Sequence, residues 1–447
     1  VRASIVRSSL LVAVATIVVL TGCGTGGGQI GTGRANVQAD TTKPEPFDYV
    51  MGTDVFPVED PAMPEKGDAC QDPSFGTTLV RLTDWEADGY QGPGIQNEYS
   101  RADPENCDGT MVVLRGNTAA WYLYRPDTGQ VVTSLDQVFH DCSQEPEPRW
   151  DDKDPDVFYF LCGPELRRYD VGSKQTATLH DFSKDVPGTV SITTGSEGDA
   201  SMDRRQWFFM AVDGDWNFLA LVSYDLRQDK VIGIKSSGFA DKIDGVSSDM
   251  SGTHAVVGYS ELLDVEVLSA DLETSTRLAE GSNGHCDLAV LPGGTDVLVY
   301  QNIRNDYICM SDLATGTETR LLRIPFDVNA DIGLHISGNS VRTPGWVLVS
   351  TYGARQPPEG EEHSWMDEQL FMLELTSSPR VWRLAHTHCY TSDEAEGEKV
   401  YYAEAFASIT RSGHRVYFGS NWGDFTADYS ETYQLTLPAG WYSGVPE

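Results

Sequence analysis

Residues 284–302 read G-H-C-D-L-A-V-L-P-G-G-T-D-V-L-V-Y-Q-N, residues 307–316 read Y-I-C-M-S-D-L-A-T-G, and residues 319–325 read T-R-L-L-R-I-P. At residues 334–339 the run L-H-I-S-G-N starts the pattern again. Each short apolar run ends in a turn signal such as P-G-G, N-D or A-T-G, so the stretch reads as four antiparallel strands. The cycle restarts after about 50 residues, a period that belongs to repeat architectures.

The same cycle recurs along the chain. Its second strand, apolar on both faces, is found at Thr110–Arg115, Asp156–Cys162, Gln206–Val212, His254–Tyr259, Asp296–Gln301, Gly345–Thr351 and Arg415–Ser420. A third strand follows at Trp121–Thr128, Leu166–Val171, Leu221–Leu226, Val267–Leu272, Ile308–Thr315, Leu370–Leu375 and Glu431–Leu437. Seven units that cannot each bury both sheet faces alone build one core by stacking in a ring. The fold class expected is therefore all-β, a seven-bladed β-propeller. The last unit lacks a clear fourth strand, and Thr77–Thr83 (TTLVRLT) is a fourth-strand pattern with no unit of its own. Pairing the two completes the last blade and removes two open sheet edges, as a closed ring requires.

The first residues read as a targeting segment. Arg2 and Arg7 precede the apolar run Leu10–Leu20, and Leu20-Thr21-Gly22-Cys23 resembles a bacterial lipoprotein cleavage box. Three parts are thus expected: residues 1–23 as a lipoprotein signal peptide with Cys23 lipidated, 24–48 as a Gly/Thr/Pro-rich tether, and 49–447 as the propeller. A lipid anchor places the chain in the cell envelope, extracytoplasmic, at the outer membrane or cell surface. The chain carries 67 Asp+Glu against 32 Lys+Arg. That balance argues against nucleic acid as a partner, and a monomer with a solvated acidic surface is expected. Of eight cysteines, Cys142 and Cys162 are expected to lie close together, and Cys70 with Cys107 to pin the N-terminal segment to the first blade. Export permits such disulfides.

Chemistry in a propeller is sought where the innermost strands meet the central channel. Aligning the turns gives Glu98, Glu147, Asp199, Asp244, His285, His335 and Glu404 at that level. His285 and His335 are 50 residues apart, one blade pitch. With Asp287 they are candidate ligands for a divalent metal, Ca²⁺, Mn²⁺ or Zn²⁺. They are equally candidates for general acid–base work. Arg101 and Arg149 are candidates to pair with a substrate carboxylate, with Arg149 the one expected at the catalytic centre beside His285, His335 and Tyr352. Substrate contacts are expected from Glu98, Glu147, Trp150, Asp199, Asp244, Asn339 and Glu404, with Trp365, Trp422 and Tyr352 as further surfaces for sugar rings. His386 and His388 read as loop residues near the surface. Asp213–Asn217 (DGDWN) and Asp151–Asp156 (DDKDPD) read as turns rather than cation loops.

Arg81-Leu82-Thr83-Asp84 ahead of seven blades, and Val416–Gly423 (VYFGSNWG) in the last, resemble the oligogalacturonate lyase and TolB-type group of exported propellers. The similarity spans about residues 75–437 and is one of pattern. It implies a metal-assisted β-elimination on uronate-containing sugars, with the metal held by histidines. That family's H-P-H-type element falls where this chain has Ala403-Glu404-Ala405-Phe406. Two readings follow: an exported lyase acting on carbohydrate, or a non-catalytic surface propeller binding a glycan, peptide or protein on its loop face.

Overall fold

The computed structural model describes residues 49–59, 61–90, 92–329, 332–352, 363–389, 401–424 and 429–445. The expected signal peptide, Cys23 and the tether lie outside the described residues.

Seven antiparallel sheets form the blades. From the channel outward, blade 2 is Arg149–Trp150, Val157–Cys162, Glu165–Asp170 and Gln175–Asp181. Blade 3 is Ser191–Thr193, Gln206–Val212, Phe218–Asp225 and Lys230–Lys235. Blades 1, 4, 5 and 6 repeat this meander from inner strands Ile95–Gln96, Ile243–Ser248, Asp287–Val290 and Gly333–Ser337. Blade 7 begins at Ser408–Ile409, continues through Arg415–Ser420 and Glu431–Thr436, and takes its fourth strand, Thr78–Arg81, from the other end of the chain. Ala69–Gln71 adds a fifth strand outside it. Val50–Met51 pairs in the same way along the edge of blade 6. The expected closure is therefore present and extends one strand further.

The apolar second strands explain how the ring holds. Alternate residues of a strand point to opposite faces. Val157, Tyr159 and Leu161 pack toward blade 3, against Ile192, Trp207 and Phe209. Phe158, Phe160 and Cys162 of the same strand pack toward blade 1, against Val113, Trp121 and Leu123. Blade 3 repeats the division, sending Phe208 and Met210 to blade 4. Each full burial of such a side chain stabilises the fold by about 1.5–3 kcal/mol. The ring seam is also tied by polar contacts. Arg415 pairs with Glu105 at 2.6 Å, and the Tyr417 hydroxyl donates to the same carboxylate at 2.6 Å.

Cys142 and Cys162 form a disulfide, joining the loop before blade 2 to the end of its second strand. Cys70 and Cys107 do not pair. Both are free thiols, the first on the outermost strand of blade 7 beside Asp72, the second among Asp108, Asp151 and Asp154 near blade 1. Replacing both Cys142 and Cys162 with Ser releases a loop of 20 residues. The expected loss is about 3 kcal/mol from the wider freedom of the unfolded chain. Urea unfolding of the variant beside the oxidised protein checks it.

Two acidic stretches are turns, as expected. Asp213 accepts from the backbone N–H groups of Asp215 and Asn217, and Asp151 from those of Lys153 and Asp154.

Candidate active site at the channel mouth

Three loops reach the mouth in a left-handed backbone conformation two residues before an inner strand. The residues are Glu147 at φ 46°, His285 at φ 35° and Phe406 at φ 43°. Such backbone in non-glycine residues costs on the order of 1–3 kcal/mol and persists where the surroundings enforce it. His285 thereby meets His335 of the next blade edge to face, with ring centroids 5.2 Å apart.

His335 is the centre of the cluster. It lies within the inner strand Gly333–Ser337 and is buried. Tyr352 stacks on it at 5.1 Å, and Tyr99 and Phe406 close the other sides at 5.2 and 4.7 Å. Gly333 makes the stacking possible, since a Cβ there would come within 2.4 Å of the Tyr352 ring. The Nε2 of His335 lies 2.7 Å from the Glu404 carboxyl, which also bonds the Tyr352 hydroxyl. The Nδ1 of His335 is buried and has no hydrogen-bond partner.

Burial decides the charges. It pushes the Glu404 carboxyl up to about 8, and the His285 and His335 imidazoles down to about 4 and about 3. The nearby Arg101 charge acts on both histidines in the same direction as burial. At neutral pH both imidazoles are uncharged and Glu404 holds its proton. Arg101 itself stays charged. Burial opposes its charge, but the acidic groups around it, Glu197 and Asp287 among them, outweigh that effect. It pairs with Glu197 at 3.2 Å and lies 5.8 Å from the Tyr99 ring centre. It also lines a cavity of about 90 Å³ between blades 3, 4 and 5, with Glu197, Asp244, Asn283 and Asp287.

The structure thus brings His285, His335, Tyr352 and Glu404 together and separates them from most other candidates. Arg149 is corrected from catalytic to structural. It is 1% exposed, with its guanidinium on Gly198 O at 3.1 and 2.9 Å, Pro148 O at 2.9 Å and Glu98 at 2.5 Å. Glu98 is its ion-pair partner. Trp150 is buried and donates Nε1–H to Pro104 O at 2.8 Å, so no sugar reaches it. Glu147 latches blade 2 to blade 3 through the Thr193 hydroxyl at 2.7 Å and the Thr194 N–H at 3.2 Å. Asp199 is held by Arg204, and Asn339 donates to the Ser337 and Ser408 hydroxyls across blades 6 and 7. Asp244 is exposed at the cavity rim.

Three further expectations change. Asp287 does not join the histidines as a metal ligand: among the described residues the three do not bring donor atoms within 4.8 Å of one another, and its two oxygens accept from the N–H groups of Leu288 at 2.8 Å and Gly338 at 2.6 Å. His386 is not a surface loop residue. It is buried at the end of a blade 6 strand, with Nδ1 3.1 Å from Asp72. His388 and Trp422 pack on each other at 4.5 Å, and Trp422 stacks on Tyr433.

Sequence reasoning passed over Tyr99 and Phe406, and ranked Arg101 behind Arg149. The available signal was the run Glu98-Tyr99-Ser100-Arg101, which places aromatic and cation two residues apart in the loop after the first inner strand.

Fold and site together define a seven-bladed propeller with a titratable aromatic cluster at one end of its channel. Among solved structures it resembles an oligogalacturonate lyase in complex with manganese, at 16% identity and TM-score 0.56 over 83% of this chain and 96% of that one. It also resembles the oligogalacturonate lyase of Vibrio parahaemolyticus, at 14% identity and TM-score 0.57 over 85% of this chain and 100% of that one. At such identities the likeness is one of fold. No family model matches the sequence, and no curated protein matches it.

The manganese of the first neighbour sets a test for these residues. Among the described residues, one group of three His, Cys, Asp or Glu side chains brings its donor atoms within 4.8 Å of one another, and it is Asp141 with the disulfide cysteines Cys142 and Cys162. The channel mouth does not assemble such a set, so no step below passes through a metal.

Proposed function

We propose that this chain is an exported, envelope-anchored propeller that binds acidic sugars at its channel mouth and cleaves them by β-elimination. The observation that carries the reading is the joining of His285, His335, Tyr352 and Glu404 beside the charged Arg101. The likeness to two oligogalacturonate lyases supports uronates as the sugar class. The Cys142–Cys162 disulfide supports an oxidising compartment.

In the proposed reaction Arg101 exchanges Glu197 for the uronate carboxylate. That neutralises the acid and makes the adjacent C–H more acidic. Neutral His285 takes that proton. The electron pair forms the carbon–carbon double bond, the bond to the glycosidic oxygen breaks, and Glu404 returns a proton to the leaving oxygen, directly or through the Tyr352 hydroxyl.

The test incubates the purified protein with a panel of uronate polymers and oligomers and follows the ultraviolet absorbance of the unsaturated product. Product that disappears in His285→Ala is expected. Silence across the panel sinks the lyase reading. The close burial of His335 and Glu404 favours one second reading, binding of acidic glycans without turnover, which calorimetry on the same panel would reveal.

A further inference from the structure

We infer that the channel mouth is built around a resident guanidinium in place of a divalent cation: Arg101 supplies the positive charge, and Glu404 occupies the nitrogen of His335 that faces the channel cluster. The substrate side of this inference rests on the acidic-sugar reading above. The metal side stands on the geometry of the donors, with the Arg101 charge beside it.

A divalent ion held tightly by side chains takes three or more donors pointing at one place. All but one of the donors at the mouth are engaged or set apart. His335 Nε2 faces Glu404 at 2.7 Å, and its Nδ1 is buried, on a ring packed by Tyr99, Tyr352 and Phe406. Glu404 divides its carboxyl between His335 and the Tyr352 hydroxyl. Asp287 accepts one backbone N–H on each oxygen and does not gather with both histidines about one point. His285 is left as a single donor.

Electrostatics point the same way. Arg101 lies close enough to both imidazoles that its charge disfavours any positive charge on them. A divalent ion on those rings would meet the same repulsion, doubled. Arg101 has one carboxylate partner, Glu197, and its Nε is buried without a hydrogen bond. A planar guanidinium with donors to spare is suited to a bidentate carboxylate.

The test has two arms. In the first, the protein is dialysed against chelator and titrated with Mn²⁺ in a calorimeter, beside His335→Ala and Glu404→Gln. The expected result is the same weak, surface-type isotherm for all three. One stoichiometric Mn²⁺ in the unaltered protein, lost in His335→Ala, overturns the inference and leaves the acidic-sugar reading untouched. In the second arm, binding of an oligogalacturonate is measured with and without chelator. Binding unchanged by chelator and weakened at least about tenfold in Arg101→Ala, with partial recovery in Arg101→Lys, supports the inference. Binding that appears only with added Mn²⁺ overturns it. Failure to bind any uronate, with a metal-free first arm, retires the acidic-sugar reading and upholds the metal-free mouth.

Discussion

A chain that starts at Asp84 is expected not to fold to a cooperative, soluble ring, whereas one that starts at Tyr49 is expected to do so. Removing residues up to Thr83 takes the fourth strand from blade 7 and the strand outside it. Leu79, fully buried opposite Leu435, leaves the core. Glu431 loses Arg81 at 3.3 Å and the Thr83 hydroxyl at 2.6 Å, on a strand that has become the sheet edge. Losing Leu79 from the core alone costs about 2–5 kcal/mol, a large part of the stability of an ordinary domain. The strand Glu431–Thr436 would also present an open apolar edge, which invites association. Size-exclusion chromatography and thermal unfolding of the two chains check the result. A folded monomer from Asp84 onward would show that the N-terminal strands decorate the ring and do not close it. A milder form of the same experiment is Leu79→Ala, for which a loss of about 2–5 kcal/mol is expected.

In the acidic-sugar reading, Glu404→Ala is expected to lower turnover by about 10²–10⁴-fold, the usual worth of a positioned acid or base. Its removal takes the proton donor, and it frees the His335 ring and the Tyr352 hydroxyl that the carboxyl holds. The pH profile of kcat/KM distinguishes the chemical part from the positional part. Glu404 is raised to about 8 by burial, so it carries its proton below that value and loses it above. His285 is lowered to about 4, so it is a free base above that value and is protonated below. Activity should therefore hold from about pH 4 to about pH 8 and fall on both sides. In Glu404→Gln the amide keeps a hydrogen bond but cannot titrate. The alkaline limb should flatten while the acid limb stays. An alkaline limb unchanged in Glu404→Gln would assign that limb to another group.

The ring was legible because its signal is periodic. Apolar second strands recur, and alternate residues in them face different neighbours, so a few substitutions do not hide the pattern. Ring closure was legible through a single surplus strand, Thr77–Thr83. The convergence of His285, His335 and Glu404 followed from blade pitch. What the pitch could not rank were Arg149 and Arg101. Both are arginines near inner strands, and their roles differ because Gly198 O and Pro148 O happen to lie against one guanidinium. Such carbonyl positions depend on loop paths that carry no periodic signal. Asp287 was misread for the same reason, since its partners are backbone N–H groups. The aromatic walls of Tyr99 and Phe406 were missed because aromatic residues are the ordinary filling of blades.

The left-handed backbone shared by Glu147, His285 and Phe406 has a consequence for how the molecule can be altered. What recurs at these three places is a bend of the main chain, and three unrelated side chains have been hung on it: a latch, an imidazole and a wall. Each is a socket whose shape is independent of its occupant. Asn, Asp and Gly tolerate that bend, and β-branched residues resist it. A library built at the three sockets should accept the former and reject Val and Ile whatever the chemistry selected. New chemistry could then be installed one socket at a time without redesigning the ring beneath it.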